Sequence, residues 1–297
     1  MILLKTPIPD HLADELECHF CEYGSGNWII ESIPGGRDFQ LHGYFDTPEQ
    51  AQTDYQVLGT AFHQLPDSPT LSELPDQDWQ EAYKHHFHPW NCGTIHWVPA
   101  WLRDSYQVPA GHKALYIDPG MAFGTGNHET TRLCLEALVD YHSQLPPEEV
   151  PKKRVIDAGC GSGILALSAA LLGFQNIQAF DIDEDSIRIC HENAAFNGLD
   201  GKVQFTNSGI EPSIPPGSAD LILANILAPV LSKHAATLLV GLSSHVGSTL
   251  ILSGILNQEA HAVSGTFGDT AKASGQNPSI TRKDSSIWTA LRFQIQE

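Results

Sequence analysis

The stretch Val155-Ile-Asp-Ala-Gly-Cys-Gly-Ser-Gly163 decides the fold of this chain. Its apolar start predicts a buried strand, its glycines predict a tight loop, and the run Ile164–Leu172 predicts a helix directly after the loop. Glycines let a ligand approach the backbone closely, and the free N–H groups at the start of a helix face an anionic group. The order of strand, loop and helix therefore predicts a cofactor site on the loop.

From Arg154 onward, short apolar runs alternate with helical stretches. This alternation predicts an α/β fold with a parallel, doubly wound sheet. At the tail, two adjacent strand-like runs predict an antiparallel pair at the sheet edge. The runs are Arg154–Ala158, Ile164–Leu172, Ile177–Asp181, Ser186–Phe196, Val203–Thr206, Leu221–Ala224, Pro229–Val240 and Thr249–Leu252, followed by Ser279–Lys283 and Ile287–Ile295.

Asp181 ends a predicted strand 22 residues after Gly159. A carboxylate at this strand end accepts hydrogen bonds from both ribose hydroxyls in dinucleotide-binding folds. The loop and Asp181 together predict a cofactor of the adenosine type. A glycine-rich turn without a ligand is the plain alternative.

The spacing of Gly159, Gly161 and Gly163 separates two cofactor classes. Nicotinamide and flavin folds prefer G-x-G-x-x-G, which needs glycine at position 164, where this chain has Ile164. The tighter G-x-G-x-G spacing is similar to the first motif of class I methyltransferases. We therefore favour S-adenosyl-L-methionine, whose methionine carboxylate would face the helix and whose ammonium group Asp157 would offset. A dinucleotide-binding oxidoreductase is the alternative.

Asn225 follows the fourth predicted strand of the sheet, within Ala224-Asn-Ile-Leu-Ala-Pro-Val-Leu231. Open α/β sheets carry their ligand chemistry at these strand ends. The amide oxygen of Asn225 and the backbone carbonyls beside it can accept hydrogen bonds from an amine and direct its lone pair to the methyl carbon. Asn225 is thus the predicted catalytic residue, and a turn-forming asparagine is the alternative.

The segment Asp118–Thr131 is rich in glycine and hydroxyl side chains and precedes the helical run Arg132–Leu138. Its composition predicts a loop that covers the cofactor, with Thr130 and Thr131 capping the helix that follows. A capped helix without a cofactor contact is the alternative.

Together these segments resemble the PrmA family, the methyltransferases of the eleventh large-subunit ribosomal protein. The stretch Asp78–Pro89 is similar to the family segment that opens the catalytic half, and Leu252-Ser-Gly-Ile-Leu256 is similar to a later strand end. Departures from the family pattern include Glu129, where the family usually has proline, and Tyr83, where it often has tryptophan.

The resemblance implies a fold, a reaction and a set of contacts. The implied fold is a seven-stranded, Rossmann-like class I methyltransferase domain preceded by a small ferredoxin-like α+β domain that recognises the substrate. The implied acceptors are protein amines, both lysine side chains and an N-terminal amine. The positions that match the family's cofactor contacts are Thr131, Gly159, Asp181 and Asn225.

Composition shifts divide the chain into three parts. Residues 1–65 hold short strand-like runs, Asn27–Ile30 and Phe39–Tyr44, and predict the small α+β domain. Residues 66–105 start with Pro66, Pro69 and Pro75 and predict a linker and connecting segment. Residues 106–297 then form the methyltransferase domain.

The formal net charge of −19 argues against a surface that follows a nucleic-acid backbone, since such binding needs clustered Lys and Arg. A basic protein partner, such as a large-subunit ribosomal protein, fits this charge better. The sequence shows neither a signal-peptide pattern nor an apolar run of membrane-spanning length, which predicts a cytoplasmic protein without a membrane partner.

Several alternatives stay open at this stage. His128 and Glu129 are the nearest candidates for a base that deprotonates the amine, and deprotonation by burial of the amine alone is the other possibility.

Cys18 and Cys21 have the spacing of half a zinc site, which either Cys92 with His96 or the cluster His85, His86 and His88 could complete. A second cysteine pair is missing, so we predict no metal. Another protein lysine or a small-molecule amine as substrate, and a catalytically silent binding module, also remain.

Overall fold

The computed structural model describes residues 2–23, 27–32, 38–73, 87–117 and 128–296. The chain falls into two compact units, Met1–Phe87 and His88–Glu297. None of the helices in the described ranges is both long and apolar enough to cross a membrane.

The N-terminal unit is a four-stranded antiparallel sheet with two helices. Its strand order is β2-β3-β1-β4, and the strand-like runs predicted near Trp28 and Leu41 are confirmed. The sheet and helices bury Leu4, Leu16 and Phe45 in one core. In chain order the elements are β1 (Ile2–Pro9), α1 (Asp10–Tyr23), β2 (Trp28–Ser32), β3 (Asp38–Phe45), α2 (Pro48–Ala61) and β4 (Thr70–Glu73).

The segment 66–105, for which the sequence predicts a linker, contains strands of both units. Strand β4 pairs with β1, where Leu71 lies opposite Leu4. Pro66 and Pro69 precede this strand, so neither interrupts its hydrogen bonds with β1. Further on, β5 (Trp90–Cys92), β6 (Ile95–Pro99) and β7 (Lys113–Ile117) form a three-stranded sheet in the second unit. Residues 74–86, with His85 and His86, lie outside the described ranges.

The second unit is built on a seven-stranded sheet in the order β10-β9-β8-β11-β12-β14-β13. The five neighbouring strands β10, β9, β8, β11 and β12 run parallel to one another. Strand β14 runs antiparallel to both β12 and β13. The predicted parallel sheet and its antiparallel pair at the edge are confirmed. The strands are β8 (Arg154–Ala158), β9 (Asn176–Asp181), β10 (Gln204–Asn207), β11 (Leu221–Asn225), β12 (Thr249–Leu256), β13 (Pro278–Ser285) and β14 (Trp288–Ile295).

Helices cover both faces of this sheet. The predicted helix Ile164–Leu172 is observed with the same bounds, whereas the predicted single helix Pro229–Val240 is two helices that meet at His234, where the backbone leaves the helical region. The helices are α3 (Glu129–Ser143), α4 (Ile164–Leu172), α5 (Glu184–Phe196), α6 (Ile210–Ser213), α7 (Ala228–Lys233), α8 (Ala235–Gly241) and α9 (Ala260–Ala273).

Strand β11 shows why the sheet is buried on both sides. Leu221 and Leu223 belong to one hydrophobic core, and Ile222 and Ala224 belong to the other, since alternate side chains of a strand point to opposite faces. Helix α4, which follows β8, packs in the first core, and helix α7, which follows β11, packs in the second. The crossovers from β8 and β11 therefore leave on opposite faces. A ligand crevice forms between two such strand ends.

Candidate cofactor and active site

The glycine loop leaves β8 at this crevice and is fixed to the neighbouring strand. The N–H groups of Gly159 and Cys160 both donate to the carbonyl oxygen of Phe180, at 2.9 and 3.0 Å. Gly159, Gly161 and Gly163 have positive φ angles of 72°, 51° and 79°. Residues with a Cβ rarely adopt these angles, so the glycine spacing read from the sequence has a conformational cause.

Asp181 and the loop are in direct contact. The carboxylate Oδ2 of Asp181 accepts a hydrogen bond from the N–H of Gly161 at 2.9 Å, and Oδ1 accepts from the N–H of Asp183 at 3.0 Å. A carboxylate has about four acceptor positions, so two remain for other donors such as ribose hydroxyls. The structure thus brings together the two features from which the sequence predicts an adenosine-type cofactor.

Asp157 lies near the end of β8 and is fully buried. Its Oδ2 accepts from the N–H of Ala166, in the first turn of α4, at 3.0 Å. Its Oδ1 is buried without a hydrogen-bond partner among the described residues. Burial raises the pKa of Asp157 to about 7; the bond from Ala166 opposes this shift, and the charge of Asp181 adds to it. A positive group beside Oδ1 would supply the missing partner.

Asn225 ends β11 and contacts α3 across the crevice. Its Nδ2 donates to Oγ1 of Thr131 at 3.2 Å, and Thr131 is fully buried. The Oδ1 of Asn225 is a buried acceptor without a partner in the described part of the chain. Buried polar groups are normally hydrogen-bonded, so an orphan acceptor in a crevice marks a place for a ligand donor.

The start of α3 differs from the prediction. The helix begins at Glu129, and its cap is His128, whose Nδ1 accepts from the N–H of Thr130. Thr130 and Thr131 lie inside the first turn instead of capping it, because the imidazole nitrogen of His128 can satisfy a free N–H group of this turn. The covering loop predicted between Asp118 and Thr131 falls mostly on residues 118–127, outside the described ranges.

His128 and Glu129 have shifted pKa values. Burial lowers the pKa of His128 to about 4. This value keeps the imidazole neutral at pH 7 and makes it a weak proton acceptor. Burial raises the pKa of Glu129, against the opposing effects of Arg132 and a hydrogen bond with Ser286. Burial therefore favours the neutral form of both groups.

The zinc alternative finds no support in the described residues. His96 uses both ring nitrogens, Nδ1 at 2.6 Å from the Tyr106 hydroxyl and Nε2 at 2.8 Å from Nδ1 of His112. Within the described ranges, no three His, Cys, Asp or Glu side chains are grouped so that they could hold a metal ion. The side chains of Cys18 and Cys21 lie outside the described set.

Two residues at this edge carry no signal in the sequence pattern. Ile226 packs its side chain against Gly159, since a methyl group on this glycine would lie 2.5 Å from Cγ2 of Ile226. Ile182, directly after Asp181, is 82% exposed, the highest exposure among the large apolar side chains described. Only the three-dimensional arrangement shows that both border the crevice.

Comparison with known proteins agrees with this site. The sequence profile of the family described as ribosomal protein L11 methyltransferase (PrmA) matches residues 25–292. A relative with that name from Trichlorobacter lovleyi is 34% identical over 272 residues, covering 89% of this chain and 87% of the relative. One from Synechococcus elongatus is 36% identical over 277 residues, covering 86% and 85%.

A solved structure shares the fold. The crystal structure of the ribosomal protein L11 methylase from Lactobacillus delbrueckii subsp. bulgaricus matches with a TM-score of 0.60 at 29% identity, over 71% of this chain and 100% of that one. The seven-stranded sheet is thus that of an α/β methyltransferase fold. With a family profile and two relatives spanning most of its length, this chain belongs to the PrmA family of S-adenosylmethionine-dependent methyltransferases.

Proposed function

We propose that this chain methylates amine nitrogens of ribosomal protein L11, both lysine side chains and the N-terminal amine, with Asn225 as the catalytic residue. The observation that carries the proposal is the buried, unpartnered Oδ1 of Asn225, held by the bond from Nδ2 to Thr131. An amine donates hydrogen bonds and needs an acceptor beside the reacting methyl group. The family to which the chain belongs is named for L11.

The reaction needs alignment more than a covalent residue. When bound, S-adenosylmethionine supplies an electrophilic methyl carbon on a sulfonium. Asn225 would accept a hydrogen bond from an N–H group of the neutral amine and so direct the nitrogen lone pair towards this carbon. The amine must first lose a proton, because lysine is protonated at neutral pH. We assign Glu129, whose pKa burial raises, as the side chain that would take this proton.

The cofactor would be held by the residues of the crevice. Asp181 would accept the ribose hydroxyls with its remaining acceptor positions, and Asp157 would pair its orphan Oδ1 with the ammonium group. The backbone of Gly159, Gly161 and Gly163 would lie along the methionine part. Thr131, with its hydroxyl already bonded to Asn225, would contact the cofactor from α3.

We assign substrate recognition to the N-terminal part, as a ferredoxin-like domain over residues 1–65 to which β4 adds one strand. The element order β1-α1-β2-β3-α2-β4 and the antiparallel order β2-β3-β1-β4 support this assignment. Residues 66–105 would connect it to a methyltransferase domain at 106–297. Residues 1–87 hold 15 of the 35 acidic residues and 3 of the 16 basic ones. This excess of negative charge suits a basic protein and disfavours nucleic acid.

Substrate and place in the cell follow from the proposal. Ribosomal proteins are basic and are made in the cytoplasm, so we place the chain there without a membrane partner. Incubation with labelled S-adenosylmethionine and either isolated L11 or the matched set of ribosomal proteins tests the substrate. We expect label on L11, and mass mapping should place it on amine nitrogens. Label on another protein, or on a small amine only, would refute L11 as the acceptor.

The role of Asn225 needs a separate measurement. Asn225→Ala should lower methyl transfer strongly, because the amine loses its acceptor, whereas Asn225→Asp retains an acceptor oxygen and should lose less. Cofactor affinity, measured by calorimetry, separates loss of binding from loss of turnover. Methylation that persists unchanged in Asn225→Ala would rule out the assigned role.

A further inference from the structure

Strand β12 contains a β-bulge beside Asn225. The pairing of β12 with β14 changes register between Leu252 and Ile255, which lie opposite Leu291 and Thr289, so β12 carries one extra residue. Gly254 lies in the bulge with a φ of +81°. Ser253, just before it, is the register partner of Asn225 in the parallel pair of β11 and β12. The bulge therefore lies next to the end of the strand that carries Asn225.

Gly254 allows the bulge to approach the backbone of Ile226. A methyl group on Gly254 would lie 2.6 Å from the carbonyl oxygen of Ile226 and 3.0 Å from its carbonyl carbon. Both are backbone atoms, so rotation of a side chain cannot relieve this overlap. Glycine is required here by its φ and, independently, by the close contact.

Ile226 in turn fills the space between two glycines. Its side chain packs against Gly159 of the cofactor loop, where an added methyl group would lie 2.5 Å away, and its backbone packs against Gly254. Because close-packed groups transmit displacements, a shift of the bulge would move the backbone of Ile226, which directly follows Asn225. Ile226 thus links the position of β12 to the position of Asn225, with the cofactor loop on its other side.

Ser253 fixes the other side of the bulge. Its fully buried hydroxyl donates to the carbonyl oxygen of Thr130 at 2.8 Å. Thr130 lies in the same turn of α3 as Thr131, which accepts the bond from Asn225. The bulge therefore contacts both segments that hold Asn225, namely the first turn of α3 and the backbone that follows β11.

We propose that Gly254 is a positioning residue for methyl transfer, which acts through Ile226 and sets the placement of Asn225 against the cofactor loop. The inference rests on the acceptor role proposed for Asn225. Gly254 itself would touch neither the cofactor nor the amine. Misplacement of a reacting group by about 1 Å can cost about 100-fold in rate. The bonds that fix Asp157 and Asp181 do not involve β12, so cofactor affinity should depend on Gly254 much less than turnover does.

The test compares Gly254→Ala with Gly275→Ala. Gly275 has a φ of +71° and no atom within 4 Å of an added methyl group, so both variants carry backbone strain and only the first meets Ile226. We expect Gly254→Ala to lower kcat on the methylated protein by about 10-fold or more relative to Gly275→Ala. The dissociation constant of S-adenosylmethionine should stay within about 3-fold, because the loop contacts are retained.

Two results would overturn the inference. Equal kcat in the two variants would show that the contact with Ile226 has no role in turnover. A loss of cofactor affinity as large as the loss of kcat would show that Gly254 supports the loop only. If Gly254→Ala does not fold, Ser253→Ala removes the bond to Thr130 without backbone strain and should also lower kcat with little change in cofactor affinity.

Asn225→Ala in the same assay separates this inference from the proposed function. Full methylation by Asn225→Ala would refute the role of Asn225, and the inference with it. Loss in Asn225→Ala with normal turnover in Gly254→Ala would refute the positioning role alone.

Discussion

The side-chain nitrogen of Asn225 donates to Oγ1 of Thr131 at 3.2 Å, and the other end of the amide is free. With Nδ2 engaged, Oδ1 is left as the acceptor, buried and without a partner in the described structure. An amine substrate needs an acceptor, whereas a carbonyl or carboxylate substrate would need a donor. The observed orientation of Asn225 therefore favours amines.

Replacement of Thr131 tests this orientation. Thr131→Val has nearly the same volume but lacks the acceptor, which leaves Nδ2 of Asn225 unsatisfied at a cost of about 1–3 kcal/mol. We expect kcat at saturating cofactor to fall about 10-fold or more, since about 1.4 kcal/mol corresponds to a factor of ten. Thr131→Ser keeps the hydroxyl and should retain most activity. Equal losses in the two variants would show that the threonine methyl group is what matters.

Cofactor affinity should depend on pH through Asp157. Burial raises the pKa of Asp157 to about 7, so the carboxyl is protonated below this pH and cannot pair with an ammonium group. We expect affinity for S-adenosylmethionine to strengthen as pH rises from about 5 to 7 and then to level off, with at most about tenfold per pH unit. Calorimetry across this range measures the effect.

Two variants serve as controls for this pH dependence. Asp157→Asn should bind more weakly and show no such dependence between pH 5 and 7. Asp181→Asn should keep a dependence but shift it to lower pH, because the charge of Asp181 contributes to the raised pKa of Asp157. A pH profile of Asp157→Asn that matches the wild type would assign the titration to another group.

The sequence predicts the elements that local pattern determines. Strand β8 and helix α4 have the predicted bounds, and Asp181 accepts a hydrogen bond from Gly161 of the loop. Parallel strands place their carboxyl ends at one edge of a sheet, so residues at the ends of β8, β9 and β11 must lie close together. Periodicity and the alternation of strands and helices are therefore sufficient to predict that these residues lie close together.

The remaining contacts depend on packing between distant segments. The sequence did not predict His128 as the helix cap, since threonine is the commoner capping residue. In the structure the ring of His128 is placed so that its nitrogen accepts from the N–H of Thr130. Ile226 between Gly159 and Gly254 joins three separate segments, and no spacing in the sequence encodes that contact. Gly254 inside an apolar run was the one available signal, because glycine within a strand often marks a bulge.

The contact between Gly159 and Ile226 predicts a compensating pair of mutations. Gly159→Ala should weaken cofactor binding, because its methyl group would lie 2.5 Å from Cγ2 of Ile226 and because φ is +72°. Ile226→Ala removes this carbon and should restore part of the affinity in the double variant. The remaining deficit should be about 1–2 kcal/mol, the cost of a left-handed residue with a Cβ.

Ile226→Val is the matched control because valine retains the branched γ carbons. The combination of Gly159→Ala with Ile226→Val should bind no better than Gly159→Ala alone. Additive losses of affinity in the Gly159→Ala and Ile226→Ala double variant would mean that the two positions are not in contact.

Arg154 and Asp220 form an ion pair at the opposite end of β8 and β11 from Asn225. Removal of this pair should lower the stability of the fold without lowering turnover. Burial alone would raise the pKa of Asp220, but hydrogen bonds from the side chain and backbone of Arg154 and from Ser243 outweigh it and bring the pKa to about 2. The folded state therefore favours the ionised form of Asp220 over the protonated form. Its contribution, about 2 kcal/mol, is present above about pH 4 and is lost as pH falls towards 2. Asp220→Asn should lower the free energy of unfolding by about 1–3 kcal/mol at pH 7 and flatten its pH dependence in that acidic range. Denaturant titrations measure both effects.

Turnover of the folded Asp220→Asn variant should equal that of the wild type, because Asp220 precedes β11 whereas Asn225 ends it. A drop in kcat without a drop in stability would show that this end of the sheet is coupled to the active site.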